Sequence, residues 1–502
     1  MKIKARIERA VIASMFCACA GIVMYVGIRG LSLPLLAAAP LVVLFSLAAT
    51  FWLFPRLPAA LDGMRNRRPW LSVAWLFLAL MAIVQTARLS AFMLDPTQFQ
   101  HSLLPDDPWM VAHCCLTAYS ESARLTSDGE KNIYKETHYR GPDSLFDKGI
   151  RRKLESFTVD PYHYPPPFLL LPLTVRAATG DDFLSVRMVW FGMSALALLL
   201  AMGLVAWRLE PEGQLRAIGI APLIWCSMPV LSGLQMSNAQ ILVVSISVIA
   251  IVCFKRQTAL GGLLLAMSTV AKIFPGVLFV YLLARRNWRE VGWTAGFALV
   301  FTVVALLAVG STPYQAFIGY ELPRLSSGEA FSRPFSAMFA VARNMSPFGI
   351  PLKLGWLGIP GMTLEVGRIV SMIYLLGVVG LAIWSGRRQP RSNTEAVSVW
   401  LSLLSLGTLA SPFAPANYVL VSLVWLVCIN RELFRPVIMI VVWVLISAPF
   451  LISRDAPFLL QAICYFPAQA LAIGVPVVIL WSAGVERAFE ADTKVAIDRA
   501  TA

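Results

Sequence analysis

Trp190 to Trp207 reads WFGMSALALLLAMGLVAW, and no residue in it carries a charge. A helix of roughly 20 such residues crosses the roughly 30 Å hydrocarbon core of a bilayer. Long apolar stretches recur from Val11 to Ile479 with no acid in their interiors. The fold class that follows is an all-α integral membrane protein, a polytopic helical bundle.

Composition agrees. Hydrophobic residues make up 58% of the chain and charged residues 14%, against about 25% charged in soluble proteins. The mean hydropathy is +0.70. A net charge of +14 in a soluble domain would suggest nucleic acid, but here the basic residues form short clusters between apolar stretches. Such clusters set membrane topology, so membrane lipids, and no nucleic acid, are the expected partners.

The basic N-terminus (Lys2, Lys4, Arg6, Arg9) and the loops at Arg56 to Arg68, Arg208 to Arg216, Lys255-Arg256, Arg285 to Arg289, Arg387 to Arg391 and Arg431 to Arg435 are then cytoplasmic. The alternate short turns, poor in positive charge, face the other side. Counting under that rule gives about 14 membrane-embedded helices, at 10–28, 32–54, 70–93, 182–207, 217–232, 238–254, 258–272, 275–285, 291–310, 362–385, 394–411, 417–430, 436–452 and 457–482. Both termini come out cytoplasmic, in a plasma (inner) membrane. The basic start and apolar core of the first stretch resemble a signal peptide, but no small-x-small cleavage site follows, so an uncleaved helix is expected.

The organisation expected is an N-terminal pair of helices (1–69), a core (70–310) that includes a first outer loop (94–181), a second outer loop (311–361), and C-terminal helices with a short cytoplasmic tail (362–502). Residues 258–272 and 275–285 are too short to cross singly and are parted by Lys272-Ile273-Phe274-Pro275-Gly276, which reads as a broken hairpin. Lys272 then stands near the outer end of an apolar helix, where an ammonium is costly and implies an anionic partner; the alternative is that it snorkels to the headgroups.

The polar stretch Asp95 to Pro165 holds all four histidines and a dense set of acids, so chemistry is sought there. With Met110 to Leu125 helical, His113, Thr117 and Glu121 share one face, either as a base and its orienter or as the polar side of a solvated amphipathic helix lying on the membrane. Asp107 is the simplest general base, a carboxylate ionised at neutral pH; His113 and Glu121 come next. Asp160, before Pro161-Tyr162, either orients a bound substrate or forms a turn. Tyr162, Tyr164 and Trp109 suit stacking on a ring-shaped ligand, or are the aromatic residues that a membrane interface attracts. The six cysteines within apolar stretches behave as small hydrophobes, and Cys114-Cys115 lacks paired zinc spacing, so neither a metal nor a cofactor is expected. No Gly-rich phosphate loop argues for a nucleotide sugar or ATP.

The stretch YHYPPPFLLLP, Tyr162 to Pro172, followed by Ser237-Asn238-Ala239-Gln240 and by the Ala271 to Pro275 break, resembles the polytopic glycosyltransferases of family 87. Tyr119-Ser120-Glu121-Ser122-Ala123, leading through Gly129 to Asn132-Ile133-Tyr134, is similar to that family's outer-loop pattern. The resemblance implies a GT-C-like fold and an inverting, hexosyltransferase-like enzyme on the outer face. It would take a polyprenyl-phosphate sugar donor (mannose-like, or another hexose or pentose) and a glycolipid or glycan acceptor. Tyr119, Tyr164, Asn238 and Gln240 would line the substrate. Where such enzymes place an aspartate before the loop tyrosine, this chain has His113-Cys114, and where relatives often carry histidine it has Asn417.

In such a transfer the lipid phosphate is already a good leaving group, so the protein must align the acceptor, remove its proton and stabilise the departing phosphate. Lys272 and the arginines Arg324, Arg333 and Arg343 are the cations available for the phosphate. A lipid-linked oligosaccharide polymerase or ligase shares the large outer loop and is distinguished by a pyrophosphate donor. A transporter or flippase would need acids within the spans, and here the acids stand at helix ends or in loops.

Overall fold

The computed structural model describes residues 2–32, 40, 42–44, 69–140, 152–209, 221–429 and 436–501. The expected span 32–54 lies almost wholly outside the described residues. So do the loops at Arg56 to Arg68 and Arg431 to Arg435, most of that at Arg208 to Arg216, and 141–151 of the first polar loop.

The described chain is helical almost throughout; its one sheet is a two-stranded antiparallel ribbon, Lys153–Leu154 against Phe157–Thr158. Among the described residues, six helices are long and apolar enough to cross a membrane: Ala13–Gly30, Val73–Leu94, Phe183–Arg208, Trp288–Val309, Leu364–Gly386 and Phe458–Trp481. A seventh crossing is formed if Met228–Gln235 and Ala239–Phe254, bent by 116° at their junction, act as one. Large apolar side chains stand bare on these helices, Leu307 at 81% and Leu376 at 66% exposure. Side chains of that size in contact with water would cost about 1.5–3 kcal/mol each relative to burial, so their surroundings are lipid. The chain is an integral membrane protein.

The chain folds as two compact units that interleave along the sequence. One comprises 1–249, 266–272 and 296–330; the other comprises 250–265, 273–295 and 331–502. In the first unit the N-terminal helix Lys2–Gly30 lies against Phe183–Arg208, and glycine permits the close approach. A Cβ on Gly192 would stand 3.0 Å from Gly27 Cα and 3.2 Å from the Val23 carbonyl oxygen. The N-terminal end of Phe183–Arg208 is tied to Pro69–Leu94 by the fully buried Arg187. Its guanidinium donates to the Phe92 carbonyl at 2.9 Å and lies over the rings of Phe92 and Phe157. These contacts fix the end of the bundle from which the first polar loop springs.

The second unit gathers Asn393–Thr408, Ala416–Ile429, Pro436–Ser447 and the long Phe458–Thr501. Gly386 and Gly407 let the chain pass close to the Tyr281 and Phe274 carbonyls, where added Cβ atoms would stand 2.6 and 3.0 Å from those oxygens. Within it the buried Lys353 donates to Gln469 Oε1 at 2.8 Å.

Candidate active site

The first α-helix of the first polar loop is short, Pro108–Ala112, and is started by Asp107. Asp107 Oδ1 accepts from the backbone N–H groups of Trp109 (3.0 Å) and Met110 (3.3 Å), and Pro108 takes the first helical position, where no donor is needed. The helix does not run on through Leu125 as expected. His113 leaves it in an extended conformation (φ −99°, ψ 127°), and helix resumes over Leu116–Ser127. The backbone is drawn sideways at the break. His113 bridges to Thr158, and the Cys115 N–H donates to the Met236 carbonyl at 2.9 Å. Helical periodicity describes only one segment, whereas these bonds come from segments distant in sequence. The continuous face of His113, Thr117 and Glu121 is therefore not formed.

The detour carries His113 to Asp160. Their Nδ1 and Oδ2 atoms are 3.4 Å apart, with the side chains 13% and 20% exposed. Trp109, expected as a platform for sugar, stacks on the His113 ring instead, with centroids 4.2 Å apart and planes at 15°. Asp160 is held in turn: its N–H donates to Thr117 Oγ1 at 3.1 Å. A carboxylate at Nδ1 favours the tautomer with its proton there, which leaves Nε2 as the acceptor and stabilises the imidazolium once a proton arrives. Nε2 faces Cys115 Sγ at 3.5 Å.

A second cluster forms where Met228–Gln235 gives way to Ala239–Phe254. Ser237 takes a left-handed conformation (φ 52°) at the bend, and Asn238 Oδ1 accepts from the Gln240 N–H at 2.8 Å, capping the new helix. Lys272 donates to Gln240 Oε1 at 3.0 Å and to Asn238 Oδ1 at 3.5 Å. Its ammonium lies 5.2 Å from the centre of the Tyr164 ring. Tyr164 and Tyr119 share a hydroxyl–hydroxyl hydrogen bond of 2.7 Å, and the Ala239 N–H donates to Tyr119 at 3.3 Å. A helix start with a lysine beside it favours an anion.

Tyr164 connects the two clusters. Burial holds its hydroxyl well above the ordinary tyrosine value, and the neighbouring Cys115 and Asp160 add to that effect, whereas the hydrogen bond to Tyr119 opposes it. It therefore remains protonated and available as a donor. Tyr134 donates to the Tyr164 carbonyl at 3.0 Å and fixes the backbone of the YHYPPP stretch.

Other expected site residues have structural partners. Glu121, 2% exposed, accepts from Arg124 Nη2 at 2.7 Å and Nε at 3.1 Å, and from Arg152. Burial raises its carboxyl, but the donors outweigh burial and hold it below the ordinary value, so it is a fixed anion rather than a ready base. Arg324 is engaged by three carboxylates: Glu136, Glu329 (3.1 Å) and Glu321 (3.5 Å). The buried Glu321 also contacts His163, with Oε1 2.6 Å from Nδ1. These pairs join the first and second polar loops. Arg333 and Asn417 belong to the second unit, where Asn417 is 5% exposed.

Sequence reasoning did not single out Glu321, and it set Cys114-Cys115 aside for want of paired zinc spacing. Cys115 carries only the weak signal of a thiol in the polar loop two residues from a histidine. His113, Cys115 and Asp160 each place a ligand atom within 4.8 Å of those of the other two.

Among known proteins, no curated protein and no solved structure matches the chain. The family description "Glycosyltransferase family 87" matches residues 162–412, from the YHYPPP stretch to the loop at Ser411-Pro412, half of the 502 residues. With that match laid over a polytopic array of apolar helices, the chain belongs to glycosyltransferase family 87 and is a membrane glycosyltransferase.

Proposed function

We propose that the protein moves a sugar, a hexose or pentose, from a polyprenyl-phosphate donor to a glycolipid or glycan acceptor at the outer face of the plasma membrane. The observation that carries this reading is the pairing, within one unit, of a carboxylate-held histidine (His113–Asp160) with a lysine at a helix start (Lys272 at Asn238 and Gln240). The first is suited to taking a proton, the second to receiving a phosphate.

In this reading the acceptor hydroxyl gives its proton to His113 Nε2 as its oxygen bonds to the sugar's anomeric carbon. The bond from that carbon to the phosphate oxygen breaks, and the polyprenyl phosphate leaves with the electron pair. Asp160 steadies the imidazolium. Lys272 and the start of Ala239–Phe254 stabilise the charge growing on the phosphate, an effect that strengthens in the transition state. Tyr164, a protonated hydroxyl between the two, is placed to position the sugar. One displacement inverts the anomeric configuration.

Basic loops opposite the two polar loops support the outer-face orientation. Membranes containing the enzyme, assayed with labelled polyprenyl-phosphate sugar against the pyrophosphate-linked form, test the donor. Transfer from the monophosphate is expected; transfer confined to the pyrophosphate would assign the protein to polymerase or ligase chemistry.

A further inference from the structure

Cys115 has no part in the transfer just described, yet its sulfur faces the one histidine that does. With Zn–N about 2.0 Å and Zn–S about 2.3 Å, two ligands at a tetrahedral angle stand about 3.5 Å apart. His113 Nε2 and Cys115 Sγ are separated by 3.5 Å. The third ligand type comes from Asp160, whose ligating oxygen lies within 4.8 Å of the other two atoms. A rotation of its side chain closes that bond; left where it is, it holds Nδ1, as carboxylates beside metal-bound histidines commonly do. Both His113 and Asp160 keep some exposure, so an ion has a way in and a fourth position for water.

We propose that His113, Cys115 and Asp160 form a binding site for one soft divalent ion of the zinc class, and that this ion and the acceptor compete for His113. One thiolate, one imidazole and one carboxylate are a donor set that zinc accepts with an open fourth position. Binding releases the Cys115 thiol proton to solvent and puts the His113 lone pair into the metal bond, so the base is lost while the ion remains. The loss of transfer rests on the His113 reading above; the binding itself does not.

The test uses the full-length enzyme in detergent, freed of metal with a chelator. Cobalt(II) alone is titrated in and the thiolate-to-metal charge-transfer absorption is followed; zinc affinity is measured by calorimetry, and turnover is read with and without zinc. One equivalent per chain should bind with a thiolate band. Cys115→Ser should lose the band, bind zinc at least about 10-fold more weakly, and keep its turnover. Zinc should inhibit the wild type, reversibly on chelation, and leave Cys115→Ser active. On the wild-type chain, X-ray absorption at the zinc edge should show one sulfur at about 2.3 Å, a readout that stands if the variant does not fold. Equal cobalt spectra for the two chains, or zinc without a sulfur neighbour, would overturn the site. A thiolate-ligated zinc that raises turnover would leave the site standing and overturn His113 as the free base.

Discussion

His113 and Asp160, from opposite ends of the first polar loop, meet with Nδ1 3.4 Å from Oδ2. That contact gives the histidine a carboxylate from a different part of the chain. If the pair acts as base and orienter, His113→Ala lowers kcat about 100-fold to 10,000-fold. Asp160→Asn removes the orienting charge and should lower kcat while moving the acidic limb of the pH–rate profile, where the base is protonated, to lower pH. Asp107→Asn, which weakens a helix cap, should cost about 1 kcal/mol of stability and little turnover. Steady-state rates at matched expression, with thermal unfolding in parallel, separate the three.

Lys272 is the cation at the expected phosphate. Lys272→Met should lower kcat by about 100-fold to 1,000-fold, the loss seen when one preorganised donor to a developing anion is removed. Lys272→Arg keeps the charge and should retain more activity than Lys272→Met. A fall confined to the acceptor's KM would place the lysine elsewhere in the reaction.

Glu121 serves stability. Its folded-state pKa lies below the ordinary 4.5 because Arg124 and Arg152 outweigh burial, so the ionised form favours the fold. That contribution is present above about pH 4.5 and is lost as pH falls through the folded value. Glu121→Gln should therefore lower the unfolding temperature at pH 7 and flatten its decline on acidification. The expected cost is about 1–3 kcal/mol, read by thermal unfolding of the detergent-solubilised protein.

The two polar loops are joined by Arg324 with Glu136 and by His163 with Glu321, so they must share a side of the membrane. Ser127 and Ser326 are exposed positions, one in each. Ser127→Cys and Ser326→Cys should both react in intact cells with a membrane-impermeant thiol reagent, above the wild-type background. Protection of both would invert the topology.

Legibility in the sequence tracked how local the signal was. Apolar stretches such as Trp190 to Trp207 announce themselves because hydropathy needs only the residues it covers. The break at Lys272-Ile273-Phe274-Pro275-Gly276 is equally local, whereas the hydrogen bonds of Lys272 to Asn238 and Gln240 join segments more than thirty residues apart and leave no local signal. Met110 to Leu125 misled because its amphipathic pattern holds no trace of the Met236 carbonyl and Thr158 strand that pull His113 out of the helix. Arg324 reads as an unspoken-for cation until folding brings Glu136 to it. Cys115 meets Nε2 only because the helix breaks between them.

The most direct test of the central claim is single-turnover transfer from a labelled polyprenyl-phosphate sugar by purified wild-type, His113→Ala and Asp160→Asn enzymes with donor binding measured separately. The account predicts that all three bind the donor alike and that both variants transfer its sugar at least about 100-fold more slowly than the wild type. Wild-type rates in both variants, with donor binding intact, would contradict it.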